Sequence, residues 1–310
     1  MSKILTIFGS KISKNIGEGR VPSMKRASSE SSTKTLVLAG TTSLLFLLLM
    51  MPAGLQTVWA DTFVGTNGDD SIDGTDEDDV IKGLGGDDEL NGLDGDDKIK
   101  GGKGEDTIDG GNGDNTIYGG KDDDEIVFRY SDDPDNTIFG NKGNDLIDVG
   151  PEDGTCCSGD NTIYGGKGAD TIRNVGAGGT IYGGGGNDKI RAIDAGNIIK
   201  GGKGDDEIRA TGESIYTVYG GKGDDRIIIG TDVESTAFGG SGDDYLENTG
   251  EDGVLDGGKG DDTLVGDDSF GTTHIGGQGA DNFVCGDGED TIEDFDPGEG
   301  DTKTGDCENF

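Results

Sequence analysis

The sequence is poor in the residues from which globular enzymes are usually built. Hydrophobic residues make up 30% of its 310 positions and aromatics 6%, with one Trp and one His. So little apolar surface excludes a large conventional core. Neither HExxH nor GxSxG occurs, so two common hydrolytic constellations are missing. Basic residues are scarce too, with 25 Lys and Arg against 64 Asp and Glu and a formal charge of −39. Their distribution sharpens the point: residues 1–60 carry seven of the 25 against only Glu18 and Glu30, so the other 250 residues hold a net −44. A segment of that charge repels nucleic-acid phosphates and stays expanded until cations neutralise it. The partner it calls for is a cation.

The basic first sixty residues form a separate kind of sequence. Lys25, Arg26 and Lys34 precede an apolar run from Leu36 to Met51, which is followed by Pro52, Gly54 and the small-residue site Val58-Trp59-Ala60. That order reads as a signal peptide over 1–60 with a long basic n-region, cut after Ala60. The competing reading is an uncleaved anchor, since Thr35 to Ala60 is just long enough to span a bilayer. Met24 is an alternative start. Either way the acidic region is expected outside, secreted or held at the cell surface, where calcium is abundant and disulfides persist.

Glycine is what the sequence has in excess. Sixty-three residues are Gly, against an average usage of about 7%, and they are periodic. From Gly65 the chain runs GTNGDDSID, GTDEDDVIK, GLGGDDELN, GLDGDDKIK, GGKGEDTID, GGNGDNTIY and GGKDDDEIV, a nine-residue GGxGxDxUx pattern with U a large apolar residue. Beyond Val127 the spacing doubles, with full motifs starting at Gly140, Gly165, Gly183, Gly201, Gly220, Gly239, Gly257 and Gly276. Between them the apolar position of a second nonapeptide is expected at Ile163, Ile181, Ile198, Val218, Leu255 and Ile275.

Over residues 65 to about 296 the chain resembles the RTX (repeats-in-toxin) calcium-binding family, and its tail from Val284 resembles the closing segment of small stand-alone members. The resemblance implies an all-β fold, a right-handed parallel β-roll solenoid with two nonapeptides per turn, each a six-residue loop and a three-residue strand. It implies Ca2+ as the cofactor. The roll is then expected over 61–296, with 297–310 as a capping tail.

The residues themselves suit that geometry. Gly at the first, second and fourth loop positions permits positive φ and tight turning, and the sixth-position Asp supplies a hard anionic oxygen of the kind calcium prefers. U alone is expected to face inward, because side chains alternate along a strand. One aliphatic column per sheet, from Ile72 and Ile81 to Leu264 and Phe283, is too thin to offset backbone ordering by itself, so metal in the loops is expected to be part of folding.

Loops 18 residues apart stack on the same edge of such a roll, and the two edges differ. One carries Asp70, Asp88, Asp106, Asp124, Asp145, Asp170, Asp188, Asp206, Asp225, Asp244, Asp262 and Asp281 at the sixth position. The other begins with Asp79, Asp97 and Asn115 and then loses the motif, although Asn136 and Asn161 keep a DNTI ending and Asp290 is a late partial match. These Asp residues, Asp79 and Asp97 included, are the candidate metal ligands. With one ion between successive loops the first edge takes about eleven and the second about two, or about 13 ions in all.

Outward positions are patterned as well. Tyr118, Phe139, Tyr164, Tyr182, Tyr219 and Phe238 precede first-edge loops and are expected to stack on one outer sheet, with Arg173, Arg191 and Arg209 in a column on the other. Both are readable as favourable strand neighbours or as a flat glycan- or surface-binding face. Lys at the third loop position damps carboxylate repulsion. His274 is expected to be an exposed strand residue rather than a ligand. Cys285 and Cys307 form the better intramolecular pair, the alternative being two free thiols in a frayed tail. The adjacent Cys156 and Cys157 read as free thiols or bonds to another chain.

Little is left outside the leader and the repeats, and no stretch there is long enough for a catalytic domain. The expected function is that of a secreted calcium-binding repeat protein, not an enzyme, with a structural or surface-interaction role. An extracellular adhesin or glycan-binding role through the aromatic ladder is the alternative. Partners are then calcium ions and cell-surface polysaccharide or other surface proteins, not nucleic acid, and a membrane only if the N-terminal segment is uncleaved.

Overall fold

The computed structural model describes residues 60–310 except 129–134, 151–158, 176–177, 194–196, 232–233, 267–270, 287, 306 and 310. The leader up to Trp59 and the pair Cys156 and Cys157 therefore lie outside the described residues. Among those described, no helix is long and apolar enough to cross a membrane.

Each xUx segment between Gly-rich loops is a short strand, and successive strands alternate strictly between two all-parallel sheets. Among the described residues one sheet has 14 strands, beginning with Thr62–Val64, and the other 13, beginning with Ser71–Asp73. Each strand therefore hydrogen-bonds to the strand two further along the chain. Ile81 pairs with Ile99 and Ile99 with Ile117 in the first sheet; in the second Ile147 pairs with Ile172 and Ile172 with Ile190. This is the parallel β-roll that the RTX resemblance implies. The tail continues it, since Thr302–Thr304 and Glu308–Asn309 add the last strand to each sheet.

The core is the expected inward column, with Ile99, Ile117, Ile147, Ile208 and Phe283 all fully buried, but it differs at three points. First, Ile199 rather than Ile198 is inside; Ile198 is 46% exposed. In the 14-strand sheet the inward residue lies two positions before the first loop glycine, which for Gly201 is Ile199. Ile199 accordingly pairs with Ile181 and Val218. Second, the same rule puts His274 inside and turns Ile275 outward, so His274 is a core residue and not an exposed one. Burial pulls its imidazole down to about 4, which keeps it neutral at pH 7.

Third, U is not the only inward position. From Phe128 to Asn248 the 13-strand sheet runs longer and buries a further residue two past U: Phe128, Val149, Asn174, Ala192, Ala210, Ile229 and Asn248, each in register with the next. These residues occupy the side where the second-edge motif fades. Apolar and amide side chains there take the place of carboxylate-bearing loops, so the core widens along the edge that lost its acidic residues.

On the outer face of the 14-strand sheet, the rings of Tyr118, Phe139, Tyr164 and Tyr182 stack with centroids 4.8–4.9 Å apart and planes within 2–6°. Lys200 stands next in register, its Nζ 5.3 Å from the Tyr182 ring and 5.7 Å from that of Tyr219, which in turn stacks on Phe238 at 5.0 Å. Arg173, Arg191 and Arg209 form their column on the opposite sheet, and Arg173 ion-pairs with Asp148 at 2.6 Å. Cys285 and Cys307 are joined by a disulfide with their Cα atoms 5.5 Å apart.

Candidate metal centres

The glycines of the loop act in two different ways. In the repeat beginning at Gly201, Gly202 and Gly204 have φ of 123° and 111°, backbone that a side chain disfavours. Gly201 does not have positive φ. It is required by space, because a Cβ there would fall on Asp206 Oδ2 and within 2.8 Å of the Gly220 carbonyl oxygen in the next turn. The expectation of positive φ thus holds for the second and fourth positions, whereas the first is small so that a carboxylate and a carbonyl can converge on it.

That convergence recurs along the first edge. The backbone N–H of Asp70 donates to Oδ1 of Asp88, Asp88 to Asp106, and so on through every sixth-position Asp to Asp281, at 2.7–3.0 Å. Oδ1 is therefore satisfied and the carboxylate is aimed. Oδ2 is not: among the described residues it is buried without a hydrogen-bond partner in Asp88, Asp106, Asp124, Asp145, Asp170, Asp188, Asp206, Asp225, Asp244 and Asp262. Isolated buried carboxylates are costly. Burial, reinforced by neighbouring carboxylates, pushes Asp124 and Asp244 up to about 8 and Asp170, Asp206 and Asp262 to about 7, against the lowering effect of the Oδ1 hydrogen bond.

The ends of the ladder differ from its middle. Oδ2 of Asp70 accepts from the Thr66 N–H and hydroxyl, and Oδ2 of Asp79 likewise from Thr75. At the other end Asp281 donates to Oδ1 of Asp301 at 3.0 Å. Asp301 was not among the sequence candidates. Its GEGDTKT context keeps a glycine and the Asp, but Lys303 stands in register with Phe283, where an apolar residue was sought. A second row also went unread. Fifth-position carboxylates accept from the next turn, as in Asp224 N–H to Asp205 and Asp243 N–H to Asp224 at 3.0 and 2.9 Å. The recurring Gly-Asp-Asp triplet is its signal.

On the second edge Asp79, Asp97, Asn115, Asn136 and Asn161 continue the same N–H to Oδ1 ladder at 2.8–3.0 Å. Only Asp97 there has a buried, unpartnered carboxylate oxygen, among the described residues. Asn replaces Asp without breaking the ladder, because an amide oxygen accepts the same bond while carrying no charge. Past Asn161 the ladder stops at a backbone contact to Gly178. It resumes in fragments, at Ser235, which accepts from Tyr216, and at Asp290, which accepts from Thr272.

The sequence model of the RTX calcium-binding nonapeptide repeat matches residues 64–99, 91–126, 133–155, 158–173, 180–192, 191–212, 217–232 and 247–269, together more than half of the chain. The chain belongs to that family. Curated proteins yield no match to it. For an RTX chain the ion in question is calcium, and the donors suit it: hard carboxylate and peptide oxygens, with neither His nor Cys in the first-edge loops. Ten unpartnered Oδ2 atoms, each beside a glycine whose Cβ position it occupies, make the fit specific to the loops rather than to acidity in general.

Proposed function

We propose that this RTX chain is a secreted calcium-binding structural protein whose roll is completed by cations along one edge, with no chemistry of its own. The row of buried, unpartnered Asp Oδ2 atoms on the first edge carries this reading. Residues Asp70 to Asp281 of that edge, with Asp79 and Asp97 on the other, would hold about 13 calcium ions between successive loops. Bound calcium would supply the positive charge and the partner that the unpartnered Oδ2 atoms lack. About 13 ions bring roughly +26 to the acidic region, which ends the self-repulsion that keeps such a chain expanded.

Stacking within the aromatic ladder supports a structural role over a glycan-binding one. Ring planes lie within 2–9° of one another at 4.8–5.0 Å within each run, so the faces inside the runs are covered by neighbouring rings rather than open to a flat ligand. Calcium titration of the chelated protein, followed by circular dichroism, tests the proposal. A cooperative gain of β signal is expected, and an unchanged β signal in excess chelator would remove it. Retention on an immobilised polysaccharide would instead favour the adhesin role.

A further inference from the structure

His274 is out of character with its column. Along the 14-strand sheet the inward residues are Ile163, Ile181, Ile199, Val218, Ala237 and Leu255, and then, in register with Leu255 and Ile292, comes a fully buried imidazole. Neither of its ring nitrogens has a hydrogen-bond partner. An unsatisfied buried polar group is destabilising, and Leu would fill the position without that cost.

What lies beside it is a donor set of a different kind from the calcium ladder. A ring nitrogen of His274, Sγ of Cys285 and a carboxylate oxygen of Asp290 lie within 4.8 Å of one another, and all three residues are buried. They come from separate elements: the strand Thr272–Gln278, the residue after the strand Asn282–Val284, and the loop before Thr291–Ile292. Backbone N–H groups of Thr272 and Gly286 fix the Asp290 carboxylate at 2.6 and 2.8 Å. Cys307 is bonded to Cys285 and brings a second sulfur to the same place. Nitrogen and thiolate sulfur are ligands of borderline-soft cations, not of calcium.

We propose that His274, Cys285, Cys307 and Asp290 form a Zn2+ site that opens when the Cys285–Cys307 disulfide is reduced. In the disulfide form the sulfurs are poor ligands. A dithiol reductant supplies two electrons and two protons, breaks the S–S bond and is itself oxidised to a disulfide. Zn2+ then displaces the protons of the two thiols, giving one nitrogen, two sulfur and one oxygen donor, four ligands of types that Zn2+ takes in tetrahedral coordination. Metal and disulfide are thus alternative clasps on the C-terminal strands, which Cys307 ties to the end of the roll. The site shares no residue with the first-edge calcium ladder; only Asp290 belongs to a late fragment of the second edge.

Co2+ is the probe, added to the full chain in saturating calcium, which keeps the oxygen sites filled. The background is Cys156→Ser/Cys157→Ser, so that no other thiol reports. The oxidised protein should show no thiolate-to-cobalt charge-transfer band. After reduction, one equivalent of Co2+ should give that band together with tetrahedral visible absorption, and Zn2+ should displace both. His274→Leu, which suits the aliphatic column, should weaken Co2+ binding at least tenfold while circular dichroism stays unchanged. Cys307→Ser removes a donor without touching that column and should cut the charge-transfer intensity by about half. Zn2+ should also slow alkylation of Cys285 and Cys307 in the reduced protein. No thiolate band after reduction, or the same band and affinity in His274→Leu or Cys307→Ser, would overturn the site.

Discussion

The backbone N–H of Asp206 donates to Oδ1 of Asp225, nineteen residues on, at 2.8 Å, and Oδ2 of each residue is buried with no hydrogen-bond partner. Each carboxylate is held by one oxygen and presented by the other. Such pairs, repeated up one edge, form a row of anions whose geometry is set by the backbone and whose charge is left for a cation.

Removal of calcium is therefore expected to unfold the acidic region rather than merely loosen it. The β signal should disappear in excess chelator and return cooperatively at roughly 0.1–1 mM free calcium, the range of extracellular calcium modules. Far-ultraviolet circular dichroism read against free calcium checks it.

Asp206→Asn should separate the two oxygens of the ladder. The amide oxygen keeps the bond from Asp188, as Asn115 and Asn136 do on the second edge, but the charge is lost from the two niches flanking the loop. The calcium midpoint is expected to rise several-fold with the folded spectrum intact. Asn115→Asp should lower it by adding a charge to the edge that lacks one. A midpoint that responds equally to Asp206→Asn and to Asp252→Asn, at an exposed carboxylate on the second edge, would contradict the edge asymmetry.

Acid should stand in for calcium in part. From Asp106 to Asp262 the sixth-position carboxyls of the first edge lie at about 6 to 8 in the folded chain, above their ordinary 3.8, chiefly because they are buried. Between those values the calcium-free roll binds more protons than the unfolded chain, so its stability is fullest below 3.8 and is lost as pH rises through 6 to 8. Chelated protein should keep more β structure at pH 4 than at pH 8. With calcium present the midpoint should rise as pH falls, since protons compete for the same oxygens. A pH series of calcium titrations reads both effects.

Ion count gives another check. Native mass spectrometry in saturating calcium should find about 13 ions, against roughly 24 if both edges were filled at every turn. The ions should crowd along the edge holding Asp170, Asp188 and Asp206.

Neighbouring isoleucines should respond unequally to truncation. Ile199→Ala opens a cavity in the inward column and should cost about 2–5 kcal/mol, whereas Ile198→Ala, at a 46% exposed position, should stay within about 0.5 kcal/mol. Denaturant unfolding in fixed calcium measures the difference.

The period of nine, the glycines and the sixth-position Asp carried the resemblance that implied the roll, and they sorted the loops onto two edges and the aromatic rings into one ladder, because a repeat places its residues by counting. The Cys285–Cys307 pair lies partly outside the repeats and stays open until the fold joins it. Tertiary structure decided what counting could not reach. Ile199 replaces Ile198 because distance to Gly201, not hydrophobicity, sets which residue turns inward. Ala210 and Ile229 join the core because longer strands past Phe128 give the second edge an apolar lining in place of charge. Asp301 extends the ladder behind a Lys that hides its motif. His274, Cys285 and Asp290 meet only because stacking brings the inner face of one sheet against the end of the other, and residues on separate turns share a site only once the chain has wound.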